Sequence, residues 1–427
     1  MNAIRSTGTK THAMALFFAA ALLLTATLVL PATSCSSSTA PSASASRMDA
    51  GAVVALLDTL DIIVENNPDH FQERLILNNL EPVERALHLA PLMAANAANQ
   101  EIQHSIDTFL DSPAMRIYVD RYTNVTPDHI RRALNGIPYT VVDSPGDIAR
   151  AYHRAVPIRD DLRRWVALLA ERIDLDRVRA SAQHWLPPGT SVQPEMYLVF
   201  DANAGSYTAQ SKGFYNLYSD VIQDLPRGQP PDLDGMEAME AVIAHEMQHV
   251  MTEPLFAAAR RRHSSWQGQR MDQVIRGLVS EGAASHCNPP DGLRRELWED
   301  SRTLAALVSD LNQTFVALQE ERMDEAAFQQ WFGATFHDRA RELMVQNLKA
   351  RYPQDQVEIL MRKHASERPD LIHALGWHMV ATISGRGEDP EAVHRLLQAP
   401  YTLLSLYTAA LGDSHPDLRI DPRLIRD

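Results

Sequence analysis

The chain has 427 residues, 45% of them apolar and 22% charged, with 54 acidic against 40 basic side chains and a formal charge of −14. Those figures exclude a disordered or collagenous chain, and 2 cysteines, with no C-x-x-C pair, exclude a disulfide framework and a structural zinc or redox motif of that type. The acidic balance argues against nucleic acid as a partner, because binding phosphates needs a basic surface.

Arg5 and Lys10 precede an uncharged stretch from Thr11 to Ser46, whose apolar heart runs from Ala13 to Leu30. A basic start, an apolar middle and small residues after it read as an export signal over residues 1–35. Cys35 is followed by a Ser/Ala-rich segment over 36–47, a flexible tether in composition. The arrangement resembles a bacterial lipoprotein signal, which implies lipid attachment at Cys35 and a membrane-anchored protein of the cell envelope. Ordinary cleavage between Ala32 and Ala40, giving a secreted protein, and an uncleaved amino-terminal anchor are the competing readings. Under all three the folded part lies outside the cytoplasm. Without Arg5 and Lys10 the exported body carries 38 basic and 54 acidic residues, a charge of −16.

From residue 48 onward the apolar residues fall at helical spacing, as in Val53-Leu56-Leu57-Leu60, Ile130-Ala133-Leu134 and Leu162-Trp165-Val166-Leu169. Helix starts are predicted at Thr126-Pro127-Asp128 and at Ser144-Pro145-Gly146-Asp147, where a side-chain oxygen can cap free amides. The period breaks between Glu195 and Tyr218, where short apolar and aromatic runs separated by Asn-Ala-Gly and Ser-Lys-Gly predict two or three strands. Pro187-Pro188-Gly189 is the candidate domain boundary, giving a helical region over 48–187 and a second domain over 188–427. Pro230-Pro231-Asp232 closes the strand region before the next helix. The fold class predicted is mainly α, a helical bundle with a small strand segment at about 195–218.

That next helix carries the chemistry. His245-Glu246-Met247-Gln248-His249 is an H-E-x-x-H motif, which sets two imidazoles one turn apart on a helix, able to grip one divalent metal. Glu246 then faces the same metal and can take a proton from its water. Met236, Met239, Ile243, Met247 and Val250 form an apolar stripe, whereas Val242, His245, Glu246 and His249 share another face. Burying two imidazoles and a carboxylate without a partner is costly, and a metal removes that cost.

A catalytic zinc takes three protein ligands and keeps one position open. Glu281, separated from His249 by thirty-one residues, is the preferred third ligand. It lies in an otherwise apolar helix, Gly277-Leu278-Val279-Ser280-Glu281-Gly282-Ala283-Ala284, whose small residues allow two helices to approach closely enough to share a metal. The rival ligands are His263, His286 and Asp272. A salt bridge from Glu281 to Arg270 or Arg276 is the non-functional alternative.

The pairing of HEMQH with SEGAA resembles the glutamate-type zinc peptidases, or gluzincins. More closely it resembles a family of bacterial zinc-dependent peptidases of unassigned activity, in which a later helix of the form G-x-x-M-a-x-x-I precedes a segment ending in Tyr. Here that helix reads Gly376-Trp377-His378-Met379-Val380-Ala381-Thr382-Ile383, followed by Pro400 to Tyr407. The resemblance covers about Glu195 to Tyr407. It implies a gluzincin-like domain holding one Zn2+ ion through His245, His249 and Glu281, with Glu246 as general base and a peptide or protein as substrate.

Peptide hydrolysis also needs a donor for the developing oxyanion. His378 and Tyr401 are the leading candidates, with Tyr407 and Tyr215 behind them. The strand over Gly213–Tyr218 is expected to pair as an edge with an extended substrate. The reading from a different class is a non-catalytic helical lipoprotein, or a metal-holding scaffold that keeps the fold without turnover. Glu246 favours the enzyme, since holding a metal needs the imidazoles and not the base.

Overall fold

The computed structural model describes residues 48–66, 91, 94–121, 125–135, 151–152, 155–200, 205–218, 233–260, 263–364 and 368–425. The proposed signal, Cys35, the 36–47 tether, the Ser144–Asp147 cap and the Pro230–Asp232 breaker lie outside the described residues.

In chain order the main elements are α1 (Gly51–Asn66), α2 (Gln100–Leu110), α3 (Pro113–Arg121), α4 (Pro127–Asn135), α5 (Arg159–Arg172), α6 (Leu175–His184), β1 (Glu195–Val199), β2 (Tyr207–Ala209) and β3 (Lys212–Asn216). There follow α7 (Leu233–Ala258), α8 (Trp266–Ala284), α9 (Gly292–Trp298), α10 (Ser301–Gln319), α11 (Glu325–Ala334), α12 (Ala340–Arg351), α13 (Gln354–Lys363), α14 (His373–Ile383), α15 (Pro390–Gln398) and α16 (Leu403–Leu411). The mainly helical class with one small sheet is the one that the apolar spacing predicts. Local chemistry fixes many of the helix starts. Side-chain oxygens of Asn99, Ser265, Asp300, Asp324 and Asp389 accept from the first-turn amides of α2, α8, α10, α11 and α15. Thr126 does the same for α4, where the His129 amide donates to its Oγ1 at 3.2 Å. Among the described residues no helix is long and apolar enough to cross a membrane.

The described residues form two compact units: one lies within 48–178 and Pro194–Glu246, the other within Arg179–Gln193 and 247–425.

In the first unit, α1 packs on α2, α5 and β1, and buries Val53, Leu56, Leu57 and Leu60 as its spacing predicts. A hydrogen bond of 2.8 Å joins the hydroxyls of Thr59 and Ser105, and Arg163 reaches Asp61 at 2.6 Å. The sheet order is β1-β3-β2, with β1 and β3 parallel and β2 and β3 antiparallel. The β2–β3 hairpin turns at Gln210 and Ser211, both at positive φ, the backbone that a two-residue hairpin with right-handed twist requires. The predicted Ser-Lys-Gly turn is therefore displaced by one residue, and Lys212 and Gly213 belong to the strand.

β3 is central, which corrects the edge-strand expectation. β1 pairs along all of Lys212–Asn216, and β2 pairs along Lys212–Phe214. On the outer side of β1, Asp49 bridges Tyr197 through its own backbone, the Asp49 amide donating to Met196 and the Leu198 amide donating back to Asp49, each at 2.8 Å. On β2 the Thr208 carbonyl accepts from Arg121 Nη1 at 2.8 Å, and that guanidinium lies over the Tyr207 ring. Backbone pairing has thus consumed the β3 groups that a peptide strand needs.

In the second unit the closest packing is α8 against α14, and α14 in turn packs on α16. The α8–α14 crossing depends on glycine. A Cβ on Gly282 would overlap the Gly376 carbonyl oxygen, and one on Gly376 would stand 2.6 Å from the Leu278 carbonyl oxygen and 3.2 Å from Leu278 Cα. Both obstacles are backbone, which cannot rotate away. The small residues after Glu281 do allow a close approach, as the sequence suggests. Their partner is α14.

Candidate metal centre

The metal-ligand spacing in the sequence becomes geometry on α7, where His245 and His249 are one turn apart. The imidazoles of His245 and His249 and the carboxylate of Glu281 each offer a ligand atom, and the three atoms lie within 4.8 Å of one another. Across the two helices, His249 Nε2 lies 3.3 Å from Glu281 Oε2. Two ligands about 2.0–2.1 Å from a tetrahedral zinc lie about 3.3–3.4 Å apart, so this spacing fits one edge of a zinc tetrahedron.

The surroundings of His249 support the same donor set. Its Nδ1 lies 2.9 Å from Ser280 Oγ. With the proton on Nδ1 donated to that hydroxyl, Nε2 keeps its lone pair and faces Glu281. This is how an outer hydrogen bond selects the ligating nitrogen of a histidine. Ser280 thus orients the imidazole whose other nitrogen faces Glu281. Two imidazoles and a carboxylate are a zinc donor set by chemistry as well as by spacing.

Glu246 is buried on α7, and β3 passes beside it: a Cβ added at Gly213 would lie 3.7 Å from Glu246 Cβ. The stripe predicted for α7 is also buried, with Met236, Met239, Ile243, Met247 and Val250 all in the core.

The rival ligands have other partners. His286 is buried between Trp185 and Trp377, its Nδ1–H donates to the Gly282 carbonyl at 3.0 Å, and its Nε2 accepts from Ser384 Oγ at 3.0 Å. Burial lowers its pKa to about 4, so it is a neutral core histidine. Asp272 pairs with Arg276 at 3.0 Å and lies 3.9 Å from His263. Arg270 bonds Glu325 at 2.6 Å. Neither arginine is engaged with Glu281 in the pairs observed.

The two leading donor candidates are also held elsewhere. His378 Nε2 shares a hydrogen bond with the Tyr407 hydroxyl at 3.2 Å. Its pKa is lowered to about 4, first by burial and then by Arg386. Tyr407 and Tyr215 are fully buried. The Tyr401 hydroxyl donates to the Ala259 carbonyl just beyond the end of α7.

The sequence reading missed the neighbour that Glu281 does have. His373, the first residue of α14, places Nε2 at 3.5 Å from Glu281 Oε2. Its signal was an Asp370-x-x-His373 pair immediately ahead of the GWHMVATI helix.

No curated protein and no solved structure gives a significant match to the chain. Residues 106–413 match one family, however, a span that takes in the H-E-x-x-H helix, Glu281 and α14. The chain belongs to the family described as "Putative zinc dependent peptidase (DUF5700)".

Proposed function

We propose that this protein is an exported zinc metallopeptidase of the glutamate type, in which His245, His249 and Glu281 hold one zinc ion and Glu246 is the general base. The observation that carries the reading is the 3.3 Å approach of His249 Nε2 to Glu281 Oε2, from two helices, at the edge length of a zinc tetrahedron. Bound zinc supplies Lewis acidity at the scissile carbonyl and brings the pKa of a water to about 7.

The rest of the work falls to side chains. Glu246 accepts the proton of the attacking water on its carboxylate and passes it to the leaving amide nitrogen. Its burial excludes competing water and raises the strength of that electrostatic contact. Ser280 Oγ, through Nδ1 of His249, keeps the ring aimed at the metal position. His378 and Tyr401 are left out of this machinery, because their polar atoms are committed to Tyr407 and to the Ala259 carbonyl. The basic, apolar and small-residue order of residues 1–35, with Cys35 and its tether, supports export and lipid attachment to the envelope.

Two measurements test the reading. Purified protein is expected to hold one zinc per chain and to lose it in Glu281→Ala; an unchanged zinc content in the variant sinks the ligand assignment. On a mixed peptide library the wild type is expected to cleave and Glu246→Gln to be nearly inert. Equal cleavage by the two rules out the mechanism.

A further inference from the structure

Glu281 is not held by its own helix alone. The Asp370 carboxylate takes two bonds from a single residue: the His373 backbone amide donates to Oδ1 at 2.7 Å, and the His373 ring Nδ1–H donates to Oδ2 at 2.9 Å. One bond fixes the start of α14 and the other fixes the ring plane, so the imidazole has little freedom to turn. Nε2, at the opposite corner of the ring, is thereby aimed at Glu281 Oε2 at 3.5 Å. That same oxygen faces His249.

The distance between the two helices is fixed independently. Gly282 and Gly376 lie one residue beyond Glu281 and three beyond His373, and they meet at a crossing with no room for a Cβ. Trp298 and Phe336 flank the His373 ring, with centroids at 6.2 and 6.5 Å. The His373 ring thus stands between the Asp370 and Glu281 carboxylates.

We infer that Asp370 and His373 form a positioning pair for Glu281, with Asp370 orienting the imidazole and the Nε2 edge of the ring, 3.5 Å from Oε2, keeping the Glu281 carboxylate in the pose that ligates the metal. His373 is a positioning residue, not a ligand: its nitrogen is not among the three atoms that cluster. This role rests on the zinc reading of the site. Outer hydrogen-bond partners of metal ligands change metal affinity by about 10–100-fold when removed, which sets the expected scale.

The test is zinc affinity of the full chain, measured by competition with a chromophoric chelator, alongside the melting temperature of the metal-free form. His373→Ala is expected to weaken zinc binding by about 10–100-fold with the metal-free melting temperature unchanged. His373→Gln, whose amide can still donate near the Nε2 position, is expected to recover most of that loss. Asp370→Ala should weaken zinc binding in the wild type and weaken it no further in either His373 variant, because its effect on the metal runs through the ring, whereas the loss of its bond to the backbone amide of residue 373 is read in the metal-free melting temperature. Zinc affinity within twofold of wild type in His373→Ala, or losses that simply add in the double variant, overturn the role. Should His373→Ala not fold, the wild type, His373→Gln and Asp370→Ala decide the matter by the same logic. A wild-type chain that takes up no zinc overturns the metal-centre reading itself, before any variant is compared.

Discussion

Two histidines five residues apart on α14 have opposite fates. His373, at the first residue, is partly exposed and lies between the carboxylates of Asp370 and Glu281. His378 is turned through about 140° by five residues of helix, and it sits against Tyr407 with its pKa lowered to about 4. The start of the helix lies beside the candidate site, and its middle is core. The sequence likeness drew attention to His378, because it lies inside the family-like GWHMVATI segment. Burial and hydrogen bonding, which decide the matter, follow from which face of α14 meets α8 and which meets α16. A polar residue within a characteristic segment is therefore not assigned to the chemistry by its place in that segment.

The contrast predicts that changes on the site side reduce turnover or metal affinity and spare the fold, whereas changes on the core side do the reverse. The largest effect belongs to Glu246. Glu246→Gln is expected to lower kcat by about 10²–10⁴-fold, the usual contribution of a general base, with zinc content and melting temperature unchanged; steady-state kinetics and metal analysis check it.

The core side should declare itself in acid. His286 and His378 are neutral in the folded chain down to about pH 4, whereas in the unfolded chain they bind protons near 6.5. Between those values the unfolded state binds more protons, so stability falls as pH drops from about 6.5 to about 4, by up to about 3 kcal/mol for each group. Below pH 4 their contribution levels off. Urea unfolding of the metal-free protein across that range is the measurement, since acid also strips metal from imidazoles. His378→Gln is expected to flatten the slope, and an unchanged slope would break the contrast.

Between the two ends lies the glycine crossing. Gly376→Ala must push Leu278 backbone away and is expected to cost about 1–3 kcal/mol, with a weaker zinc site because Glu281 rides on the displaced helix. Metal-free stability and zinc affinity read the two effects separately. The smallest effect is that of Tyr401→Phe. It removes one hydrogen bond to the Ala259 carbonyl, at about 0.5–1.5 kcal/mol, and leaves zinc affinity unaltered. A loss of zinc or a hundredfold loss of kcat in this variant would return Tyr401 to the list of catalytic candidates.

Much of this molecule was written in local pattern. Periods of three and four residues state the helices, the cap at Thr126 states where one of them begins, and the four-residue spacing of His245 and His249 states the candidate metal pair, since a helix holds such residues on one face whatever surrounds it. Glu281 was legible through its oddity, a lone acid among apolar and small residues. What could not be read is non-local. Whether Gly282 packs on the H-E-x-x-H helix or on α14, whether β3 lies at an edge or at the centre, and which histidine stands beside Glu281 all depend on pairings between segments as much as ninety residues apart. Spacing along a chain fixes the angle around one helix, but nothing in it names the neighbour; that choice belongs to tertiary packing, where backbone clearance at a glycine and the carboxylate of Asp370 select one arrangement.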